Sequence, residues 1–205
     1  MKICFEGPSA IGKTTLCKCF KEDYLIIPEV NELFKGQKNE GGLWYYQKQV
    51  ERFQLSQKQE NVIFDGDIFQ PLWYNWTYSY PAGFLPMEEI HHFYLNQIAK
   101  GNISFPDIYF VFQTNIENLK VRKENDSTRR RGNFEKHLEL TQSLPKYFGQ
   151  MKEEFPNLVE TIEYDSIHNV KNKVKTILSS RNPDNSYDSK LILKNMVDWL
   201  SKNKP

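Results

Sequence analysis

Residues 7–14 read Gly-Pro-Ser-Ala-Ile-Gly-Lys-Thr, which matches the spacing G-x-x-x-x-G-K-[ST] of a phosphate-binding loop. In this pattern the glycines let the backbone close around an anion, the lysine supplies a charge for the β- and γ-phosphates, and the final hydroxyl binds Mg²⁺. An apolar strand over 2–6 precedes the loop and a helix opens after it, as the motif requires. The sequence therefore predicts a nucleoside triphosphate site, with contacts from Gly7, Ser9, Ala10, Ile11, Gly12, Lys13, Thr14 and Thr15.

The composition narrows the class of protein. The chain has 205 residues and a formal net charge of +1, so we expect one domain without a general attraction to nucleic acid or anionic membranes. No apolar run reaches the ~20 residues of a membrane span, and the first strand begins too early to leave room for a signal peptide. The three cysteines, Cys4, Cys17 and Cys19, make no disulfide framework. We expect a cytoplasmic protein with no nucleic-acid or membrane partner.

Short apolar stretches alternate with helical stretches along the chain. The predicted strands cover residues 2–6, 24–27, 61–64, 107–112 and 158–164. A kink or break is expected at Pro145. The predicted helices beyond the loop helix cover 43–59, 86–100, 116–123, 134–154 and 170–178. Nearly continuous apolar strands that alternate with helices indicate an α/β fold, a five-stranded parallel sheet flanked by helices on both faces.

The composition changes after residue 178. Residues 179–189 are polar and include a proline, which is typical of a linker, and residues 191–200 then predict an added helix. We therefore expect one nucleotide-binding domain over 1–178. The segment 179–205 would form a linker and a C-terminal helix that is packed on the domain or appended to it.

Carboxylates follow two of the predicted strands, at the edge where a parallel sheet binds its ligands. Asp65 ends the third strand, where it would hold Mg²⁺ together with Thr14; a turn or helix cap is the alternative. Asp67 is a second candidate for the same site, for a base or for a substrate contact. Glu29 follows the second strand and would either take the proton of an attacking hydroxyl or be a solvated surface residue.

The chain has one dense basic cluster, formed by Arg122, Lys123, Arg129, Arg130 and Arg131. Phosphoryl transfer depends mainly on neutralising charge over the transferred group, and arginine does so with two parallel hydrogen bonds. A mobile basic segment between helices would form a lid that closes over the phosphates. A solvated basic loop and a nucleic-acid patch are the alternatives, and the sequence does not decide which arginine reaches the phosphates.

Aromatic and amide side chains are concentrated in two places. On the predicted helix 43–59, Trp44, Gln49 and Phe53 would suit a flat heterocycle, because rings stack on its faces and an amide reads its edge. Core packing with a solvated glutamine is the alternative. The aromatic block from Phe69 to Phe84 would either form the wall of a pocket or fill a core.

These residues resemble the deoxynucleoside kinase and thymidylate kinase group of phosphate-loop kinases over residues 1–178. In deoxynucleoside kinases a Glu-Pro pair follows the second strand and its Glu acts as the base; here the order is Pro28-Glu29. A Trp followed five residues later by a base-reading Gln is typical of that family, and Trp44 and Gln49 have this spacing. The resemblance implies that the lid arginines neutralise the transferred group, and that the loop containing Ser166 and His168 contacts the adenine of ATP.

One position departs from the family. The third strand there normally ends in Asp/Glu-Arg-Ser, with the Arg near the phosphates and the acceptor hydroxyl, whereas this chain has Asp65-Gly66-Asp67.

The sequence thus predicts an ATP- and Mg²⁺-dependent kinase for a nucleoside or nucleotide, with a homodimer among the expected states. A kinase for another small alcohol (an antibiotic, sugar or vitamin) stays open, as does a nucleotide-binding switch. Against the switch, the sequence contains neither the Asn-Lys-x-Asp guanine motif nor an Asp-x-x-Gly sequence beginning at Asp65.

Overall fold

A parallel sheet of five strands forms the centre of the molecule. The computed structural model describes residues 1–35, 42–78, 85–126, 134–181 and 187–205. The strands are β1 (Lys2–Glu6), β2 (Leu25–Ile27), β3 (Val62–Asp65), β4 (Ile108–Gln113) and β5 (Val159–Glu163). They pair in the order β2-β3-β1-β4-β5, and every pairing is parallel. The predicted five-stranded parallel sheet is confirmed.

Helices lie on both faces of this sheet, as the sequence predicted. Within the described residues the helices are α1 (Lys13–Lys18), α2 (Val30–Leu33), α3 (Trp44–Ser56), α4 (Gln70–Thr77), α5 (Met87–Ala99), α6 (Ile116–Glu124), α7 (Phe134–Leu138), α8 (Leu140–Glu154), α9 (Ile167–Ser180) and α10 (Ser189–Lys202). All three cysteines are free. No helix in the described ranges is long and apolar enough to cross a membrane.

Two apolar clusters, one on each face, hold the helices to the sheet. Side chains alternate along a strand, so on β1 Cys4 packs into one cluster while Ile3 and Phe5 pack into the other. The cluster that contains Cys4 joins the sheet to α3, α4, α5, α8 and α10. The opposite cluster joins it to α1, α6, α7 and α9. Glu6 has the same parity as Cys4, which places its side chain on the α3 and α4 side of the sheet.

The strand order determines which loops meet. β1 is central and runs between β3 and β4, with Phe5 in register with Asp65 on one side and with Phe110 on the other. The chain therefore leaves β1 and β3 side by side. Since all strands are parallel, the loop after β1, Glu29 after β2 and Asp65 at the end of β3 lie along one edge of the sheet.

The structure differs from the predicted helices in three places. The short helix α2 was not predicted. The aromatic block contains a helix that the sequence analysis did not predict, α4, and its rings divide between core and cavity. Phe69 and Trp73 are fully buried, whereas Tyr74 is half-buried. The predicted helix 134–154 consists of two helices that meet at Glu139, and Pro145 lies inside the second rather than at the break.

The C-terminal helix α10 packs its apolar side into the larger cluster. Its buried residues are Ile192, Leu193, Met196, Val197 and Leu200, and its main neighbours are α5 and α8. Polar contacts add to this packing, because Trp76 Nε1 donates to the Asn203 carbonyl (2.9 Å) and the Phe105 N–H donates to Ser189 Oγ (2.9 Å).

This packing makes α10 part of the stability of the whole domain. Met196 is completely buried, so we expect Met196→Ala to lower the free energy of unfolding by about 2–5 kcal/mol, from lost burial and the cavity left behind. Urea unfolding followed by circular dichroism measures the change. Lys194→Ala on the exposed side of the same helix is the control, expected to stay within about 0.5 kcal/mol of the parent. A loss below about 1 kcal/mol for Met196→Ala would contradict this role.

Candidate active site

The glycine-rich loop after β1 surrounds one end of a cavity of about 440 Å³. Its conformation requires glycine at two positions. At Gly7 a Cβ would come within 2.8 Å of the Phe112 carbonyl oxygen, and at Gly12, where φ is +109°, it would come within 2.9 Å of the Tyr164 hydroxyl. The predicted nucleotide contacts line this end of the cavity, namely Gly7, Ser9, Ala10, Ile11, Gly12, Lys13, Thr14 and Thr15.

Lys13 lies at the centre of the site. Its side chain is 11% exposed, and Nζ donates to the Gly7 carbonyl at 2.6 Å. The same Nζ is 3.7 Å from Glu6 Oε1 and 3.9 Å from Glu29 Oε1. The ammonium group therefore lies between two carboxylates at the mouth of the phosphate loop, where it can be shared with an incoming phosphate.

Thr14 and Asp65 meet directly. Thr14 Oγ1 donates to Asp65 Oδ2 at 2.6 Å, and Asp65 is 3% exposed. Burial and the nearby charge of Glu29 raise the pKa of Asp65, while Lys13 and the Thr14 hydrogen bond oppose this rise. The other oxygen, Asp65 Oδ1, is buried and has no hydrogen-bond partner among the described residues. A hydroxyl beside a carboxylate with an unsatisfied oxygen fits a divalent cation that takes its remaining ligands from phosphates and water.

The described residues contain no group of three or more His, Cys, Asp or Glu side chains arranged to hold a metal ion. A site for Mg²⁺ next to a bound nucleotide does not require one, because this ion keeps several waters and is bound through one or two protein groups together with the substrate phosphates. The pair of Thr14 and Asp65 is sufficient for that arrangement.

Glu29 lines the same cavity as the loop. It precedes α2, its side chain is 39% exposed, and its Oε1 is 3.9 Å from Lys13 Nζ. Gly66, which stands where the resembling family has an arginine, lies against it. A Cβ on Gly66 would come within 3.3 Å of Glu29 Cγ, and φ at Gly66 is +88°. The backbone after β3 is thus folded into a tight turn beside the candidate base.

Glu6 is a site residue that the sequence analysis did not single out. It is 2% exposed, and its carboxylate accepts the N–H groups of Gly7 (Oε1, 2.7 Å) and Asp67 (Oε2, 2.7 Å). Burial raises the pKa of Glu6 to about 7, against the opposing effect of Lys13. The sequence marks Glu6 only by its position, because it is a carboxylate at the end of a largely apolar strand, directly before the loop.

The four residues that the sequence analysis assigned to substrate contact lie outside the lining of the cavity. Asp67 is 1% exposed and accepts hydrogen bonds from the Phe69 N–H, Trp73 Nε1 and the Tyr109 hydroxyl, and burial raises its pKa to about 6. The other three are on α3, and none of the four lines the cavity.

The contacts of the three α3 residues explain why they do not line the cavity. Gln49 is 2% exposed, and its Oε1 accepts a hydrogen bond from Arg52 Nη1 at 2.6 Å. Phe53 is buried with its ring stacked on Phe64, 6.1 Å between centroids, which is the core alternative left open by the sequence. Trp44 is half-buried, and its ring packs edge-to-face against that of Tyr45. Of this helix, Tyr45 is the residue that lines the cavity.

The rest of the cavity wall comes mainly from four separate helices. α2 contributes Val30 and Asn31, α3 contributes Tyr45, α4 contributes Gln70, Pro71 and Tyr74, and α7 contributes His137. The Tyr74 and His137 rings meet edge-to-face at 6.4 Å between centroids. Rings and amides therefore line the same cavity as the loop, and they come from residues other than Trp44, Gln49 and Phe53.

Arg122 connects the loop to the end of β5. Its Nη1 donates to the Ile11 carbonyl (2.7 Å), its Nη2 donates to the Tyr164 carbonyl (3.1 Å), and the guanidinium lies over the Tyr164 ring at 4.7 Å. Ser166 and His168, assigned to adenine, are exposed at the start of α9 beside this junction and do not line the cavity. The remaining lid arginines, Arg129, Arg130 and Arg131, lie outside the described residues.

Glu6 makes the stability of the protein depend on pH. A carboxyl whose pKa is higher in the folded state than in the unfolded chain adds stability at low pH, and this is lost as the pH rises through the folded-state pKa. Glu6, at about 7, therefore favours the folded state progressively as pH falls from about 7 to about 4.5. We expect Glu6→Gln to reduce the change in Tm between pH 5 and pH 8, measured by circular dichroism.

The matched control is Glu153→Gln, the same chemical change at an exposed position. It should leave the dependence of Tm on pH unaltered. Parallel curves of Tm against pH for the parent and Glu6→Gln would contradict a raised pKa at Glu6. Asp67 contributes in the same direction at lower pH, so part of the dependence should persist in Glu6→Gln.

Comparison with known proteins identifies solved structures that have a similar fold. No family model matches the sequence, and no curated protein matches it. Deoxyadenosine kinase from M. mycoides with bound dATP aligns with a TM-score of 0.63 at 16% identity, over 88% of this chain and 100% of that one. Thymidylate kinase from Ehrlichia chaffeensis aligns with a TM-score of 0.54 at 17% identity, over 87% and 98%. The chain has the fold of phosphate-loop nucleoside and nucleotide kinases, and the resemblance predicted from the sequence is confirmed at the level of fold.

Proposed function

We propose that the protein is an ATP- and Mg²⁺-dependent phosphotransferase that acts on a nucleoside or nucleotide. The observation that carries this proposal is one cavity that is lined by the phosphate loop, Lys13, Glu29 and the rings of Tyr45 and Tyr74. A site for the phosphate donor, a candidate base and a surface for a flat acceptor thereby share that cavity. The kinase fold of the structural neighbours supports the same class of reaction.

The donor phosphates would bind at the loop. Backbone N–H groups from Ala10 to Thr15 precede and open α1, and the positive end of this helix favours the anion. Lys13, which now donates to the Gly7 carbonyl, would turn its charge to the β- and γ-phosphates. Thr14 and Asp65 would hold Mg²⁺, which supplies neutralisation of phosphate charge when bound.

Glu29 would act on the acceptor. It is a partly exposed carboxylate that lines the cavity 3.9 Å from Lys13 Nζ, so it can meet a hydroxyl that approaches the γ-phosphate. By accepting that proton, or by orienting the hydroxyl through a hydrogen bond, it would raise the nucleophilicity of the oxygen. Asp67 is less suited to this role, since both its oxygens already accept hydrogen bonds inside the core.

The acceptor ring would lie between the aromatic side chains that line the cavity. Tyr45 and Tyr74 offer faces for stacking, while Asn31 and Gln70 offer amides that can read the edge of a base. The neighbouring deoxyadenosine kinase has been solved with dCMP as product, which supports a nucleoside-type acceptor. The lid role of Arg129, Arg130 and Arg131, the adenine contacts of the loop with Ser166 and His168, and a homodimer stay predictions.

Lys13→Ala tests the donor half of this mechanism. We expect loss of phosphate transfer from radiolabelled ATP to a panel of deoxynucleosides, ribonucleosides, monophosphates and non-nucleoside alcohols, because the charge on the phosphates is removed. Circular dichroism should show an unchanged fold. Lys21→Ala, at an exposed position outside this cavity, is the matched control and should keep full activity.

The panel also separates the alternatives. Transfer to a nucleoside or monophosphate supports the proposed acceptor class, and near-normal transfer by Lys13→Ala would contradict the mechanism. Labelling confined to a non-nucleoside would favour a kinase for another small alcohol. ATP hydrolysis with no labelled acceptor would favour a nucleotide-binding switch.

Glu29→Gln tests the acceptor half. If Glu29 takes the proton, we expect kcat to fall about 10²–10⁴-fold while ATP binding changes little, because the amide cannot accept a proton. Steady-state kinetics on the acceptor found in the panel give the ratio. Glu32→Gln, one turn further along α2 and exposed, is the control. A decrease below threefold would remove Glu29 from this role.

A further inference from the structure

One carboxylate joins the two chain segments that form the phosphate site. Glu6 is the last residue of β1, and its two oxygens accept the N–H groups of Gly7, the next residue, and of Asp67, 61 positions along the chain from Glu6, each at 2.7 Å. Gly7 opens the phosphate loop, and Asp67 lies in the turn after β3. No role in the mechanism above uses this buried group.

The Gly7 end of the link fixes the start of the loop. The Gly7 N–H is donated to Glu6 and the Gly7 carbonyl accepts Lys13 Nζ at 2.6 Å, so charged groups hold both polar atoms of this residue. Its φ of +156° and the proximity of the Phe112 carbonyl leave no room for another side chain. The path of the loop therefore depends on where the Glu6 carboxylate lies.

The Asp67 end fixes the turn that carries Asp65. The carbonyls of Asp65 and Gly66 accept Arg52 Nη2 (3.0 and 3.2 Å), the Gly66 N–H donates to the Phe5 carbonyl, and the Asp67 N–H donates to Glu6. Glu6 thus makes the side-chain contact that joins this turn directly to the loop's own strand. This contact adds to the pairing of β1 with β3 in setting the distance between Thr14 and Asp65.

A carboxylate is suited to this position because both its oxygens are acceptors, whereas an amide offers one oxygen and one donor. The ionised form of Glu6 satisfies both N–H groups, and a protonated carboxyl loses one of its acceptor positions. Charged and titratable groups face it from each neighbouring element: Lys13 from α1, Asp67 from the turn after β3, Tyr74 from α4 and Cys4 from its own strand. Glu29, after β2, meets the same Lys13.

We propose that Glu6 is a positioning residue, which holds the phosphate loop and the turn after β3 at the separation that lets Thr14 and Asp65 share one Mg²⁺ on a bound nucleotide. The proposal rests on the proposed function, since it assumes that a nucleoside triphosphate binds at the loop. Glu6 acts through Gly7 and Asp67 and takes no proton from the acceptor.

The test measures ATP binding without any acceptor, by isothermal titration calorimetry with Mg²⁺ and again with EDTA. Glu6→Gln keeps the shape of the side chain but leaves one N–H facing a donor. Glu6→Asp keeps the charge but is one methylene too short to reach both N–H groups. Because a hydrogen bond to a charged group accounts for about a tenfold or larger change in affinity, we expect each variant to bind ATP about tenfold more weakly with Mg²⁺. With EDTA the loss should be smaller.

A control separates positioning from stability. Met196→Ala removes a buried side chain on α10, away from the phosphate loop, and should lower Tm while leaving the Kd for ATP with Mg²⁺ unchanged. A parental Kd with Mg²⁺ in either folded Glu6 variant would overturn the proposal. So would an equal loss with Mg²⁺ and with EDTA, because the coupling to Asp65 would then be absent.

The same binding data distinguish this inference from the proposed function. If the parent binds ATP and transfers phosphate to no acceptor, the phosphotransferase proposal fails while the Glu6 result still stands. If the parent transfers phosphate normally and the Glu6 variants bind as it does, only the inference about Glu6 fails. If the parent binds no ATP, both are contradicted.

Discussion

The parallel pairing of β1 with β3 is the constraint on which the candidate site depends. It places Phe5 beside Asp65, so the loop that follows one strand and the carboxylate that ends the other emerge together. A side chain from α1 can then donate to Asp65 although 51 residues separate Thr14 from it. The two apolar clusters on either face help to fix these strand ends, because Phe5, directly before Glu6, and Phe64, directly before Asp65, are buried in them.

The carboxylates at this edge outnumber the ammonium group that lies among them. Lys13 lies within 4 Å of Glu6 and Glu29, and Asp65 lies beside Thr14, so the site holds more carboxylate than positive charge in the described residues. Burial makes ionised carboxylates costly here, which appears as raised pKa values at Glu6 and Asp65. A cation bound with the nucleotide phosphates would relieve the repulsion among the carboxylates, while Lys13 is shared between them and the phosphates.

Much of the fold could be predicted from the sequence, because strands buried on both faces read as short apolar runs and the phosphate loop is defined by local spacing. The part of the cavity wall outside the loop could not be predicted, since Tyr45, Tyr74 and His137 come together through the packing of three helices. Gln49 has the spacing expected of a base reader, yet Arg52, three residues along the same helix, takes its amide oxygen in the core. Helix α4 was missed because its rings are divided between core and cavity and leave no clear apolar face.

The turn at Gly66 limits which residues can replace this glycine. A residue with a side chain at this position would have to adopt a φ near +88° and would meet Glu29 Cγ at 3.3 Å from its first carbon. An arginine at this position would therefore strain the turn and require Glu29 to shift by a few tenths of an ångström. Position 66 is thus coupled to the candidate base, because a substitution there would change where the Glu29 carboxylate lies relative to Lys13, although Gly66 itself does not line the cavity.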